Sequence, residues 1–186
     1  MAEQSSLVRL QAEYDVEVDW RGFELHPETP RGGLPLEKLF PGRASAMRAH
    51  VEQVARNFGV TGMRVPERLN NTRRALAVAE WARTHGKLPA FRDAAMEAYW
   101  QRGEDLEDPE VLTRLAEHAG LPAEQARAAM DAPEYQARVD ALHAEGRAAG
   151  VSGIPTVYIG NIRVVGCQPY EVFAEAARRA GARRRP

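Results

Sequence analysis

Between residues 44 and 140 apolar side chains recur every three or four positions, whereas the flanking stretches alternate apolar and polar residues with a period of two. The first pattern predicts helices and the second half-buried strands. Within the helical block, Met47, Val51, Val54 and Phe58 line one face over 44–58. Asn70, Asn71 and Thr72 offer capping side chains to a helix over 73–85 that Gly86 ends. Phe91, Met96, Tyr99 and Trp100 line a further helix. Asp108-Pro109 is an N-cap followed by proline, opening a helix that turns Val111, Leu112 and Leu115 inward and stops at Gly120. Leu121-Pro122-Ala123-Glu124 begins the next, through Met130, and 131–149 completes the series with Val139 and Leu142 inward.

Upstream, Leu7, Leu10 and Tyr14 stand at helical spacing in a short helix over 3–14. Val16-Glu17-Val18-Asp19-Trp20 then alternates strictly, the mark of a half-buried strand. Prolines at 30, 35 and 41 and glycines at 32, 33 and 42 make 28–42 a loop or crossing connection. Downstream, Val157 and Ile159 face Ile162, Val164 and Val165 across Gly160-Asn161, a two-residue hairpin turn. Gln168-Pro169 opens a closing helix. Pro155 stands at the mouth of the first hairpin strand, where a residue without an N–H is tolerated. An X-Pro bond is also the kind that adopts cis at low cost.

Composition narrows the classes. The chain has 186 residues, 44% of them hydrophobic and 27% charged, which suits one globular domain or a domain with a large insertion. With 25 basic and 26 acidic side chains the net charge is −1, so no bulk field draws in nucleic acid or an anionic membrane. Arg178, Arg179, Arg183, Arg184 and Arg185 read as a solvated helix end and a frayed tail. No apolar run is long enough to span a bilayer, and the N-terminus lacks the basic and apolar regions of a signal peptide. One cysteine excludes an intramolecular disulfide. These features together predict a cytoplasmic protein. No metal site is expected, because His50, His85, His118 and His143 are scattered without ligand spacing. Gly150-x-x-Gly153 does not follow a strand as a phosphate loop does, and Ser152 lies in no nucleophile elbow.

The order Gly153-Ile154-Pro155-Thr156, apolar hairpin, Gln-Pro-led helix resembles the C-terminal half of a thioredoxin-like fold, in detail that of the DsbA family. A second run, Trp20-Arg21-Gly22-Phe23-Glu24-Leu25-His26-Pro27, resembles the FrnE-like branch of that family. Asn71-Thr72, Gly103-Glu104-Asp105-Leu106 and Ala119-Gly120-Leu121 echo the same branch, so the likeness covers nearly the whole chain. The resemblance implies an α/β fold: a thioredoxin-like sheet interrupted by an all-helical insertion, with 1–35 and 140–186 forming the thioredoxin-like domain and 36–139 the insertion. It also implies a cis-proline at Pro155 facing the redox centre, with Gly153, Ile154 and Thr156 binding an extended peptide or glutathione.

The same resemblance implies a strand before the first helix that delivers a Cys-x-x-Cys motif, and neither is in this sequence. That strand belongs in the sheet interior, so ladder edges should be left unpaired. A late recorded start, a partner chain or rearranged sheet, or a remnant that binds without redox chemistry would each account for this. Cys167, ahead of Gln168-Pro169 and near a helix start, is a candidate reactive thiol or a small apolar residue where the family often has alanine. With no resolving cysteine it supports only mixed disulfides.

The implied class is a thiol–disulfide oxidoreductase, expected to lack dithiol oxidase activity in this form. Its partners would be protein thiols or disulfides, a peptide, or glutathione as substrate or cosubstrate. No other cofactor is implied, and assembly is left open between monomer and homodimer. The alternatives are a glutathione-dependent isomerase of the 2-hydroxychromene-2-carboxylate type, which shares the fold, and a non-catalytic binding module.

Overall fold

A computed structural model of the chain describes residues 4–186. The helix expected over 3–14 runs as α1 (Gln4–Glu13), residue 3 lying outside the described residues. Leu7, Leu10 and Tyr14 are buried along one face of it, as their spacing requires. The stretch 28–42 holds more order than a loop. A two-residue strand β1 (Leu34–Pro35) precedes a single helical turn α2 (Leu36–Leu39). After α3 (Ala44–Asn57), β1 pairs antiparallel with β2 (Arg68–Leu69). Prolines and glycines suppressed the sequence signal there, but two ladder positions need no periodic pattern to form.

Four helices then follow: α4 (Arg73–Thr84), α5 (Leu88–Arg102), α6 (Pro109–His118) and α7 (Ala123–Ala129). Asp108 caps α6 by accepting from the Glu110 N–H at 2.9 Å, the bond its side chain is suited to make. At α4 the cap comes from Asn71, whose Oδ1 accepts from the Arg73 N–H at 3.0 Å, and Thr72 makes no side-chain cap bond. Trp81, Phe91, Leu112, Leu115 and Met130 close a dense core among these helices. Burial there pushes the Tyr99 phenol up to about 12. α8 (Pro133–Ala148) leaves this body packed against α4. It runs unbroken through residue 140, so the expected boundary between 139 and 140 falls inside one helix.

The chain ends in the hairpin β3 (Thr156–Ile159) and β4 (Ile162–Val165), paired in the register the Gly160-Asn161 turn sets, and α9 (Tyr170–Arg179). α9 lies along α1, and Phe173, Ala174, Ala176 and Ala177 join Leu7, Leu10, Tyr14 and Val164 in a second core. The arginine tail is held rather than frayed. Tyr14 and Arg184 form an antiparallel bridge, and the Asp15 and Arg185 N–H groups donate to the Arg183 and Glu13 carbonyls, each at 2.8 Å.

The segment Val16–Trp20 departs most from expectation. Its valines and Trp20 are half-buried and pack against the second core, while Glu17 and Asp19 are exposed, so the period-two pattern holds. Yet among the described residues it joins no ladder and is not a strand. Alternation fixes which face turns inward; a strand also needs a neighbour to bond, and among the described residues none is bonded to it.

Candidate functional site

The Gly153–Thr156 loop is set between the end of α8 and the start of β3. α8 closes with Gly150 at φ +83°, where the Gly150 and Val151 N–H groups donate back to the Arg147 and Gly146 carbonyls. The chain then turns through Gly153, whose carbonyl accepts from the Thr156 hydroxyl at 2.7 Å. The Ile154–Pro155 peptide bond is cis. Ile154 is 56% exposed, unusual for a β-branched apolar residue, and its backbone groups have no backbone partner among the described residues.

Pro155 is tied to the far end of the hairpin, where the Gly166 N–H donates to its carbonyl at 2.8 Å. Cys167 is the next residue, half-buried, and Gln168 Nε2 donates to the Val165 carbonyl at 3.0 Å. The structure therefore brings together Gly153, Ile154, Pro155, Thr156 and the turn that carries Cys167. Sequence spacing separates Pro155 from Cys167 by a whole hairpin, and the β3–β4 register closes that distance.

Two surface depressions lie elsewhere. One of about 380 Å³ is lined by Arg31, Asn71, Arg73, Arg74, Glu107 and Asp131, along with Gln136. Its guanidinium groups are matched by carboxylates. Arg74 makes two bonds to Asp131, at 2.9 and 2.6 Å, which hold the Asp131 carboxyl below its usual range. The other is an open hollow beside the Arg183–Arg185 tail. Among the described residues no group of three His, Cys, Asp or Glu side chains is disposed to hold a metal ion. No helix there is long and apolar enough to cross a membrane.

A set of polar residues that periodicity gives no means of finding holds the two halves together. Glu24 is buried and accepts from Arg73 Nη1 at 3.0 Å, and Arg73 also reaches Asp140 at 2.5 Å and Gln136 at 2.6 Å. Arg83 bonds Asp19 at 2.8 Å and also the Trp20 carbonyl. Arg92 stacks its guanidinium 4.0 Å from the centre of the Trp20 ring. The Asp19 carboxyl is held below its usual range by its bond to Arg21, with Arg83 adding to the effect. Buried acids in a run such as Phe23-Glu24-Leu25 are the signal that could have pointed to this network.

The fold recurs in known proteins. A family model, the DSBA-like thioredoxin domain, matches residues 1–178. The chain belongs to that family. Its fold is accordingly the DsbA-like thioredoxin fold with a helical insertion. A probable DsbA oxidoreductase from Streptomyces coelicolor, SCO1869, superposes with a TM-score of 0.82 at 27% identity, covering 97% of this chain and 83% of that one. The structure of 2-hydroxychromene-2-carboxylate isomerase superposes with a TM-score of 0.74 at 16% identity, over 96% of this chain and 87% of that one. In sequence, the Bacillus subtilis (strain 168) protein YwbO is 26% identical over 165 residues, 87% of this chain and 81% of its own.

Proposed function

We propose that this DSBA-like chain supplies the proline side of a thiol–disulfide site and binds an extended peptide or glutathione along Gly153–Thr156. The observation that carries the reading is Ile154, an exposed aliphatic residue whose backbone groups have no backbone partner among the described residues, in a family that works on thiols and disulfides. A peptide laid against it would exchange backbone hydrogen bonds with Ile154, while Pro155 and Thr156 shape the floor. In thiol–disulfide exchange a thiolate attacks one sulfur of a disulfide, a new S–S bond forms, and the other sulfur leaves as thiolate. Cys167 could complete only that step, because the chain holds no second cysteine to expel the bound partner. Residues 1–186 therefore lack dithiol oxidase turnover.

The test pairs an insulin-reduction assay with NMR titration by oxidised glutathione and by a short cysteine-containing peptide. The expected result is no catalysed insulin precipitation, together with shifts confined to the amides of Gly153, Ile154 and Thr156. Robust turnover overturns the claim of inactivity, and shifts located elsewhere overturn the binding site.

A second reading is a glutathione-dependent isomerase of the 2-hydroxychromene-2-carboxylate type, favoured by the shared fold. Conversion of 2-hydroxychromene-2-carboxylate in the presence of glutathione, followed by absorbance, separates it from the first. A third reading, a binding module without catalysis, predicts peptide binding with neither activity. A cytoplasmic setting belongs to this proposal as well, and fits a chain with one cysteine.

A further inference from the structure

We propose that the depression of about 380 Å³ lined by the Arg31 loop, the first turn of α4 and the α7–α8 link binds a free, polar α-amino acid, which carries an ammonium and a carboxylate on one carbon. None of its lining residues belongs to the Gly153–Thr156 loop and no thiol takes part, so it stands or falls apart from the proposed function.

The floor is fixed by bonds of its own. Asn71 Oδ1 accepts from the Arg73 N–H at 3.0 Å, and Asn71 Nδ2 donates to the Thr29 carbonyl at 2.7 Å. Gln136 Oε1 accepts from Arg73 Nε at 2.6 Å, while its Nε2 donates to the Met130 carbonyl at 2.6 Å. Arg73 turns its other nitrogens to Glu24 and Asp140, at 3.0 and 2.5 Å. Side chains held this way lose little further freedom when a ligand arrives.

Three groups around that floor keep bonding capacity. The Arg31 guanidinium is 74% exposed and stands 3.5 Å from Asp131, with no hydrogen bond among the described residues. Arg74 bonds Asp131 through Nε and Nη2, which leaves Nη1, and its backbone N–H in the first turn of α4 has no backbone partner among the described residues. Glu107 Oε2 accepts from the Gly32 N–H at 2.8 Å, which leaves Oε1. These groups are neighbours. Gly32 adjoins Arg31, Asp131 joins Arg31 to Arg74, and the Arg74 guanidinium is held above its usual range by Asp131 first, with the Glu107 charge adding to the effect.

The remaining donors and acceptor select the ligand. A lone anion is drawn by Arg31 and Arg74 but repelled by Glu107 and Asp131, and a lone cation meets the converse. A molecule with both signs a few ångströms apart satisfies both ends. Its carboxylate lies across Arg31 and Arg74 Nη1, and its ammonium meets Glu107 Oε1. Every lining residue is polar, so a large apolar side chain gains nothing there, whereas an amide or hydroxyl finds partners. The volume falls at the small end of the range for small-molecule sites, as a single amino acid requires.

The probe is L-glutamine, titrated into the intact chain by calorimetry and followed by amide NMR. Expected are saturable one-to-one binding and shifts centred on the Gly32 and Arg74 amides. N-acetyl-L-glutamine, without the ammonium, and L-glutaminamide, without the carboxylate, should each bind at least about tenfold more weakly. Arg31→Gln and Glu107→Gln should each weaken L-glutamine by a similar factor, with circular dichroism confirming that the variants fold. Arg183→Gln, at the other hollow, should change nothing. Absence of saturable binding, equal binding of either derivative, indifference to both variants, or shifts centred elsewhere overturns the proposal. Tighter binding of S-methylglutathione at the same amides also overturns it, since the depression would then belong to the thiol site.

Discussion

The helical insertion and the thioredoxin-like half are built from similarly apolar sequence and reach different degrees of closure. Around α4–α7, Val78, Phe91, Leu112, Leu115 and Met130 are shielded almost completely. In the other half, Val16, Val18, Val157, Ile159 and Ile162 face their core yet remain only half-buried. Helices bond their own backbones and need only a neighbouring face to cover one stripe. A strand depends on a neighbour to bond its backbone, and its side chains are covered from the sides only where neighbouring strands flank them. Closure follows from who satisfies the backbone, more than from how hydrophobic the residues are.

The largest effect should come from breaking the tighter region. Phe91→Ala opens a cavity in a sealed core and is expected to cost about 3–5 kcal/mol, whereas Val157→Ala in the half-open core should cost about 1 kcal/mol. Urea melts of the two variants measure the difference, and equal losses would show that both cores are equally closed. Next comes the join between the halves. Arg73→Ala leaves the buried Glu24 carboxylate without its cation; because the guanidinium is about a third exposed, the expected loss is about 2–3 kcal/mol, below that of a fully buried pair. Asp140→Asn, at the exposed end of the same network, should lose under about 1 kcal/mol.

A smaller change probes α8. Alanine at position 146 ordinarily gains up to about 1 kcal/mol of helix propensity, but its Cβ would stand 2.8 Å from the Phe23 ring, itself stacked on His143. Overpacking should win, for a net loss of about 1–2 kcal/mol, and a rise in melting temperature would contradict the close approach. The smallest is a pH effect. The Asp131 carboxyl is lowered by its bonds to Arg74, with Arg31 adding charge. Its contribution is complete above the ordinary aspartate value of about 3.9 and vanishes as pH falls through the lower folded value. The melting temperatures of the wild type and Asp131→Asn should differ by a constant amount above about pH 5 and converge in stronger acid.

Much of this molecule was legible in one dimension. Helix positions, the Asp108-Pro109 start, the hairpin with its turn, and the family itself all depend on residues close in sequence or on runs such as Trp20–Pro27, and each is found. The Gly153–Thr156 loop was legible through its likeness to the DsbA family, which implies a cis-proline there, and the Ile154–Pro155 bond is cis. The order of the tail is not legible for a physical reason: a run of arginines looks solvated until the end of α1 presents carbonyls and a carboxylate for it to bond. The Glu24–Arg73–Asp140 network was invisible because its members are 49 and 67 residues apart.

By itself, then, the sequence determined the helices other than α2, the hairpin register and the family, since each follows from local backbone preference, apolar period or a contiguous run of residues, while Met96, counted on an apolar helix face, is exposed. Only the tertiary structure decided that Val16–Trp20 stays unladdered among the described residues and that the buried Glu24 carboxylate meets Arg73 to join the two halves. Those outcomes depend on which distant backbone or charge arrives to satisfy a group, and no local pattern encodes the arrival.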